Sequence, residues 1–248
     1  MDIVRRLARD MFTSFPELDA HQRTNRQPTN MTNKMLDLGL VGLCVHLVMS
    51  MVPTFAFAAD GRTLFTTCSA CHGSSGEGNV SIGAPNIAGM PAWYTARQLA
   101  NFSSDKRGTD KADTFGAQMR AAAMSVNSDE QRDALAKYIA SLPGRAAKLN
   151  TNSNPAELVN GRNQFNAICS SCHGGSGRGN QALGAPGLVG LEISYAERQL
   201  RSFREGQRGA HADDKWGAQM RVGASMLPNL KSGRDALVYA AGLKCGNE

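Results

Sequence analysis

The segment before Pro143 has the apolar spacing of an amphipathic helix. Its apolar side chains fall at positions i, i+3, i+4 and i+7, at Leu135, Tyr138, Ile139 and Leu142. The run follows Ser128, a residue type that caps helices, and Pro143 ends it. The pattern therefore predicts a helix with one apolar face. A weaker version recurs later in the chain, at Leu230, Leu237, Tyr239 and Leu243.

Shorter apolar patterns predict further helices. We place one at 93–102, another at 195–203, and a short helix before each of two Cys-x-x-Cys-His motifs. The segments between these helices are rich in glycine and asparagine, and we interpret them as loops. No segment alternates apolar and polar residues as a half-buried strand does. The pattern predicts an all-α fold with long loops.

A long internal repeat relates the two halves of the chain. The block Cys68-Ser69-Ala70-Cys71-His72-Gly73 recurs as Cys169-Ser170-Ser171-Cys172-His173-Gly174, displaced by 101 residues. The same displacement matches Gly83-Ala84-Pro85 with Gly184-Ala185-Pro186, Arg97-Gln98-Leu99 with Arg198-Gln199-Leu200, and Gly116-Ala117-Gln118-Met119-Arg120 with Gly217-Ala218-Gln219-Met220-Arg221. No gap is needed over about fifty residues, which indicates a duplicated domain. Near the C-terminus the register drifts to 102, where Asp133-Ala134-Leu135 matches Asp235-Ala236-Leu237.

A polar segment between the copies has turn formers at both ends and no apolar periodicity, which is typical of a linker. We therefore expect domain 1 at 59–144, the linker at 145–156 and domain 2 at 157–248. Domains of this size form only a modest core from their own side chains. A large buried cofactor would help to fill each one.

We predict an N-terminal extension plus signal peptide over residues 1–58. Lys34 precedes a mostly apolar run, 36–57, and the small-residue pattern that ends at Ala58 is typical of a cleavage site. Two polar residues interrupt the run and disfavour an uncleaved membrane anchor. Because the polar residues upstream lie far from the run, we interpret Met31 as the true start. The expected location is the periplasm, with at most a peripheral association with the membrane.

The Cys-x-x-Cys-His motif is the attachment signature of c-type haem. Two thiols separated by two residues can each form a thioether with one haem vinyl group, and the next histidine is placed as the proximal iron ligand. The sequence therefore predicts two covalently bound haem c groups, with iron held by His72 and His173. The attaching cysteines are Cys68, Cys71, Cys169 and Cys172.

Three other interpretations of the cysteines are disfavoured. A zinc site would need both cysteine pairs to converge on one metal ion. A thioredoxin-like redox pair needs a βαβ setting, which this sequence lacks. A disulfide within Cys-x-x-Cys would close too short a loop to stabilise the fold much.

The repeat also proposes a sixth iron ligand. Met119 lies 47 residues after His72, and Met220 lies 47 residues after His173. A thioether is a neutral, soft ligand that favours ferrous iron and raises the reduction potential. The alternative for any methionine is a role in core packing. The other candidates, Met124 and Met226, have unequal spacings in the two copies, and we interpret them as pocket packing.

The sequence pattern of each repeat resembles that of class I cytochrome c. The shared features are the Cys-x-x-Cys-His motif, a Gly-x-Pro about a dozen residues later, the later methionine and a C-terminal helix with an aromatic residue. A twofold repeat in one exported chain resembles the dihaem c-four type. The resemblance implies that the carbonyls of Pro85 and Pro186 accept hydrogen bonds from the proximal imidazoles. The family often has Met-x-Pro-Met around the sixth ligand, whereas Arg120 and Arg221 follow the methionines here.

Several polar residues also recur at matched positions. The default interpretation is that they are exposed at the surface, and the alternatives are that they bind haem carboxylates or hold loops in place. They are Arg97 and Arg198, Arg107 and Arg208, and Gln118 and Gln219. Met90 has no counterpart and is interpreted as an ordinary apolar residue, and His211 as a surface histidine. Cys245 has no partner among the cysteines of the mature chain once four of them carry haem. We interpret it as an unreactive thiol, with an intermolecular disulfide as the alternative.

The net charge of the chain gives little support to nucleic-acid binding. The whole chain has a formal charge of +6. Removal of residues 1–58 leaves 21 basic and 16 acidic residues, and the carboxylates of two haem groups would bring the net charge to about +1. We expect redox protein partners and no nucleic acid.

Two haem groups with histidine and methionine on the iron have no open coordination site for substrate. The expected function is therefore one-electron relay at an exposed haem edge. Expected partners are a donor such as a quinol–cytochrome c reductase and an acceptor such as a terminal oxidase. The alternatives are a cytochrome subunit of a dehydrogenase and a dihaem enzyme with one catalytic haem.

Overall fold

The structure, a computed structural model, describes residues 60–144 and 154–243. The predicted extension and signal peptide, linker residues 145–153 and Cys245 lie outside the described residues. In the described part the secondary structure is helical, apart from two isolated β-bridges that join Asn79 to Ala84 and Asn180 to Ala185. The predicted all-α fold is confirmed.

The first repeat is built from helices α1 (Gly61–His72), α2 (Ala92–Ser103), α3 (Thr114–Ala123) and α4 (Asp129–Ser141). Helix α4 packs against α1 and α2, and α3 packs against α2. The Ser128 side chain accepts the N–H of Gln131 and so caps α4 at its start. This helix ends two residues before Pro143, where the apolar pattern predicted its end.

The second repeat begins with α5 (Pro155–Gln164), a π-helical turn (Phe165–Cys169) and the short α6 (Ser170–His173). It continues with α7 (Ile193–Arg204), α8 (Lys215–Ser225) and α9 (Leu230–Gly242). Helix α9 packs against α5 and α7, and α8 packs against α7. The described residues of both repeats belong to one compact unit.

Helices α3 and α8 correct the prediction of loops between the shorter apolar patterns. The Asp113 carboxylate accepts the N–H of Gly116 at 2.8 Å, and Asp214 accepts that of Gly217 at 3.0 Å. These carboxylates cap the two helices, and the alanine, glutamine, methionine and arginine that follow are strong helix formers. Glycine is required at Gly116 because a Cβ atom there would overlap the capping carboxylate. The glycines therefore belong to helix caps and do not mark loops.

The predicted change in the repeat displacement from 101 to 102 residues near the C-terminus is also wrong. Helix α9 begins and ends 101 residues after α4. Tyr138 packs on Phe65 with ring centroids 5.3 Å apart, and Tyr239 packs on Phe165 at 5.7 Å. The tyrosines are 101 residues apart but the phenylalanines only 100. The second repeat thus has one extra residue between Phe165 and Cys169, and the π-helical turn absorbs it.

Each repeat has its own buried apolar core. The first core is a single cluster of Phe65, Leu99, Phe102, Ala123, Val126, Leu135 and Ile139. The second repeat has two smaller clusters, one of Leu200, Phe203, Ala224 and Leu227, the other of Phe165, Ala236 and Ala240. Where α4 has Leu135 and Ile139, α9 has alanines.

Candidate functional site

The first Cys-x-x-Cys-His motif forms the C-terminal end of α1, and the second runs from Cys169, the last residue of the π-helical turn, through α6. In α1, Cys68, Cys71 and His72 lie at i, i+3 and i+4 and therefore share one face of the helix. Cys68 and Cys169 are half-buried, Cys71 and Cys172 are exposed, and none of these thiols forms a disulfide. The first motif therefore presents two thiols and one imidazole to the same side of α1, and Cys169, Cys172 and His173 of the second motif line one cavity.

The proximal histidines are buried and oriented by backbone carbonyls. The ring Nδ1 of His72 lies 2.9 Å from the Pro85 carbonyl oxygen, and that of His173 lies 2.7 Å from the Pro186 carbonyl oxygen. With Nδ1–H donating to a carbonyl, Nε2 of each ring is left as the metal-binding nitrogen. This is the arrangement that the family resemblance implied for the two prolines.

Burial also sets the protonation of these groups. It lowers the pKa of His72 and of His173, and the hydrogen bonds to the proline carbonyls oppose this shift only in part. Both imidazoles are therefore neutral at pH 7, which is the form that binds a metal. Burial raises the pKa of Cys169 to about 11 and also raises that of Cys68.

A cavity of about 620 Å³ opens beside the second motif. Residues of the second repeat that line it include Cys169, Cys172, His173, Pro186 and Met220. The structure thus brings the whole predicted ligand set of the second repeat around one space. In the first repeat, Cys68 and Met119 both pack against the apolar core.

The other methionine candidates occupy different places. Met124 and Met226 are 55% and 61% exposed, and each directly follows the helix that carries the preferred methionine. Met90 packs against the first core and also lines the cavity of the second repeat. The assignment of Met119 and Met220 as sixth ligands stays a prediction.

A ring of side chains joins the two repeats through polar contacts. Arg107 and Arg208 are buried, and each has a relative exposure of 6%. Each donates to the side-chain oxygens of Gln98 and Gln199. The distances from arginine nitrogen to amide oxygen are 2.6–2.8 Å. Arg208 also donates to the Tyr94 hydroxyl at 3.2 Å. Surface exposure, the default for the two arginines, is therefore wrong.

The ring holds positive charge without a carboxylate among the partners just named. Burial lowers the pKa of Arg107, and the neighbouring Arg208 cation lowers it further. Each guanidinium also stacks on an aromatic ring of its own repeat, Arg107 on Phe102 at 4.3 Å and Arg208 on Phe203 at 4.4 Å. The buried Asp214 carboxylate acts electrostatically on Arg208, so the positive charge of this site is partly balanced within the protein.

Sequence reasoning missed several of these residues. Gln98 and Gln199 lie inside the matched Arg-Gln-Leu blocks, and Tyr94 and Tyr195 are a further pair at a displacement of 101. Gln118 and Gln219, the glutamines that the repeat analysis highlights, are exposed. The signal that could have identified this polar cluster is the matched pairs of large polar residues on the helices predicted at 93–102 and 195–203.

The residues present fit a covalently attached haem. The thiols, the neutral imidazole and the thioether supply the attachment and iron ligands, and the cavity wall includes apolar side chains such as Leu188 and Leu200. Buried Nε atoms of three arginines near the boundary of the repeats have no hydrogen-bond partner among the described residues, namely Arg97, Arg107 and Arg198. Unpartnered buried donors of this kind match the carboxylates that a haem carries.

The zinc alternative required the two cysteine pairs to converge. Instead, Cys68 packs against the core of the first repeat and Cys169 against a core cluster of the second. Across residues 60–144 and 154–243, the structure contains no helix with the length and apolar character needed to cross a bilayer.

Comparison with known proteins identifies the type of domain. The sequence model of the cytochrome c family matches residues 58–143 and 158–236. The thiosulfate dehydrogenase electron acceptor of Stutzerimonas stutzeri (strain A1501) is 30% identical over 178 residues, which cover 65% of this chain and 78% of that protein. Cytochrome c4 of Stutzerimonas stutzeri is 28% identical over 187 residues, 70% of this chain and 85% of that protein. The crystal structure of reduced cytochrome c4 from Pseudomonas stutzeri has a TM-score of 0.59 and 26% identity, and the match covers 74% of this chain and 97% of that one.

Proposed function

Since this chain belongs to the cytochrome c family and carries two tandem domains of the c4 type, we propose that it relays single electrons in the periplasm between a respiratory donor and a terminal oxidase or reductase. It is a dihaem electron carrier, and each repeat binds one haem c covalently.

We assign the attachment to Cys68, Cys71, Cys169 and Cys172, and the iron ligands to His72, Met119, His173 and Met220. Haem iron, when bound, alternates between ferrous and ferric forms and so stores one electron. The protein orients each imidazole through a proline carbonyl, places a methionine on a capped helix and excludes water with the surrounding apolar side chains. These roles favour electron storage without substrate chemistry.

The observation that carries this proposal is the matched environment of the two histidines. Both are buried, both have Nδ1 within 3 Å of the carbonyl of a Gly-Ala-Pro segment, and each is followed by a methionine at the same distance in sequence. A dihaem enzyme would need one site to differ, so that its iron could bind substrate. The equal ligand sets favour two relay centres.

A redox titration of the mature holoprotein tests the ligation and the relay function together. We expect two low-spin centres of high potential, each with a methionine-to-iron absorption band. A five-coordinate, high-spin haem in either repeat would contradict the proposal. The haem content per chain, measured on the same sample, serves as the control for complete attachment.

The relative named as a thiosulfate dehydrogenase electron acceptor supports a second candidate, in which this chain accepts electrons from a dehydrogenase of sulfur compounds. The test mixes oxidised holoprotein with a purified thiosulfate dehydrogenase and thiosulfate, and follows the reduced haem spectrum. The matched reaction uses a quinol–cytochrome c reductase with quinol. The faster reaction identifies the donor, and omission of each enzyme provides the blank.

The domain limits and export are tested on the same protein. We propose cleavage after Ala58, so N-terminal sequencing of the protein from a periplasmic fraction should begin at Ala59. We also keep the division into 59–144, 145–156 and 157–248. Limited proteolysis should cut first within 145–156 and leave two haem-containing fragments.

A further inference from the structure

The histidine of the second repeat is connected to an arginine of the first through three residues of backbone. His173 Nδ1 lies 2.7 Å from the Pro186 carbonyl oxygen. Two residues earlier, the carbonyl oxygen of Gly184 accepts a hydrogen bond from Arg97 Nη2 at 2.6 Å. A single short segment, 184–186, therefore contacts the proximal imidazole of its own repeat and a cation of the other repeat.

The reverse connection has the same geometry. His72 Nδ1 lies 2.9 Å from the Pro85 carbonyl oxygen, and the Gly83 carbonyl oxygen accepts a hydrogen bond from Arg198 Nη2 at 2.6 Å. Arg97 and Arg198 are at matched positions of the duplication. The two connections thus cross the boundary between repeats in opposite directions.

Both arginines are held in place by aromatic rings. Arg97 lies 5.1 Å from the Trp93 ring centroid of its own repeat and 5.7 Å from that of Trp216 in the other repeat. Arg198 lies 4.4 Å from the Phe115 ring centroid, again in the other repeat. Such cation–π contacts restrict the guanidinium and keep its donors on the glycine carbonyl.

The segments that the arginines contact have little freedom to absorb a displacement. Ala84 and Ala185 each form a β-bridge with an asparagine of the preceding turn. The N–H of Gly78 donates to the His72 carbonyl at 2.7 Å, and that of Gly179 donates to the His173 carbonyl at 2.8 Å. A shift at Gly83 or Gly184 would therefore be transmitted to the proline carbonyl two residues later.

We propose that Arg97 and Arg198 are positioning residues that act across the boundary, each fixing the imidazole hydrogen bond of the other repeat. This inference rests on the proposed function, in which His72 and His173 are iron ligands. A carbonyl that accepts the Nδ1 proton makes the imidazole a stronger ligand. Each haem would therefore have its ligand strength set in part by the opposite repeat, and a disturbance at the boundary would reach both irons.

The test uses single substitutions in one repeat that should change the imidazole hydrogen bond of the other repeat. The holoprotein is labelled with ¹⁵N-histidine and reduced, because ferrous low-spin iron is diamagnetic. Solvent exchange of the two ring Nδ1 protons is then measured, together with the potential of each haem. In Arg97→Gln the His173 proton should exchange about tenfold faster, the factor that corresponds to loss of one hydrogen bond to a charged group, while the His72 proton is unchanged. Arg198→Gln should give the opposite pattern.

Potentials provide the second readout. The potential of the haem in the second repeat should shift in Arg97→Gln, and that of the haem in the first repeat in Arg198→Gln. The lysine variants keep the charge and can direct one N–H to the glycine carbonyl, so they should restore part of each effect. Arg201→Gln removes an exposed arginine from the same helix as Arg198 and should change neither proton nor either potential.

Three results would overturn the inference. They are an effect confined to the haem of the mutated repeat, equal effects on both haems, and no change in either proton. If a glutamine variant fails to fold, the lysine variant is measured instead, and the same crossed pattern is required of it. A high-spin wild-type protein would count against the proposed function, whereas a low-spin wild type without crossed effects would count only against this inference.

Discussion

The two repeats agree in the residues around the motif and differ in the core. The imidazole–proline contacts, the aspartate caps of α3 and α8 and the arginine–glycine contacts occur in both copies at a displacement of 101. In the core, Leu135 and Ile139 are 0% and 2% exposed, whereas the corresponding residues of α9 are Ala236 and Ala240, at 2% and 0%. The second repeat therefore fills the same buried positions with much smaller side chains.

This difference indicates which positions the chemistry fixes. Residues that orient the imidazole or join the repeats have restricted geometry, so the duplicated residue is retained. Core bulk can be exchanged where a large cofactor provides packing, and Ala236 lines the cavity beside His173. We infer that the second repeat depends more on its haem for a filled core than the first.

The largest expected effect tests the matched sixth ligands. Met119→Ala or Met220→Ala should abolish one methionine-to-iron band and lower the potential of that haem by on the order of 0.2 V, within the about 0.8 V range that axial ligands span. Optical redox titration measures both. Met124→Ala and Met226→Ala, at exposed sites after the same helices, are the controls and should retain both bands. Loss of a band in a control variant alone would reassign that ligand.

The next prediction tests the difference between the cores. Leu135→Ala gives the first repeat the small residue of the second, and we expect it to lower the free energy of unfolding by about 2–5 kcal/mol, because a fully buried leucine leaves a void. Denaturant unfolding followed by circular dichroism measures the loss.

The reciprocal variant is Ala236→Leu, which adds bulk at the wall of the second cavity. We expect it to displace or tilt the haem, which should appear as a shifted absorption spectrum of the second haem with the first unchanged. If Leu135→Ala is neutral and Ala236→Leu leaves the spectrum intact, the two cores do not differ in their dependence on haem.

How far the sequence predicted this structure depends on the range of the interaction. The attachment motifs and the capped α4 helix are local patterns, and the duplication is found by comparison of the chain with itself. The structure bears out the all-α fold that they predict. The apolar pattern does not predict helices α3 and α8, because Asp113 and Asp214 cap them and the glycines that follow are typical of loops. The pairing of Arg107 with Gln199 joins residues 92 positions apart, and no local pattern encodes which side chains meet across a boundary.

The extra residue in the second repeat gives a prediction of smaller effect. Deletion of the exposed Ala167 would restore the spacing of the first repeat, in which α1 is a regular helix from Gly61 to His72. We expect haem attachment to be retained and the free energy of unfolding to change by on the order of 1 kcal/mol or less, because Gly161 keeps its close approach to the Asp235 carbonyl. Haem content and thermal unfolding check this. Loss of attachment would show that the π-helical turn is needed to position Cys169.

The smallest expected effect concerns one surface turn, where backbone strain in the first repeat is offset by an ion pair. Asp105 has a φ of 62°, whereas the second repeat has Gly206 there with a φ of 80°. The Asp105 carboxylate accepts from Arg120 Nε at 2.6 Å. A non-glycine residue in this conformation costs about 1 kcal/mol, and an exposed ion pair contributes at most about 1 kcal/mol. Asp105→Gly should therefore leave stability nearly unchanged at low salt.

Salt separates these two contributions. At high ionic strength the ion pair is screened while the backbone strain remains, so Asp105→Gly should become stabilising by up to about 1 kcal/mol relative to the wild type. The reciprocal Gly206→Asp, whose new side chain would lie near the Arg221 guanidinium, should be nearly neutral at low salt and destabilising at high salt. Thermal unfolding of both variants at two salt concentrations measures these differences. A salt-independent result for both would mean that charge plays no part in the choice between aspartate and glycine at this turn.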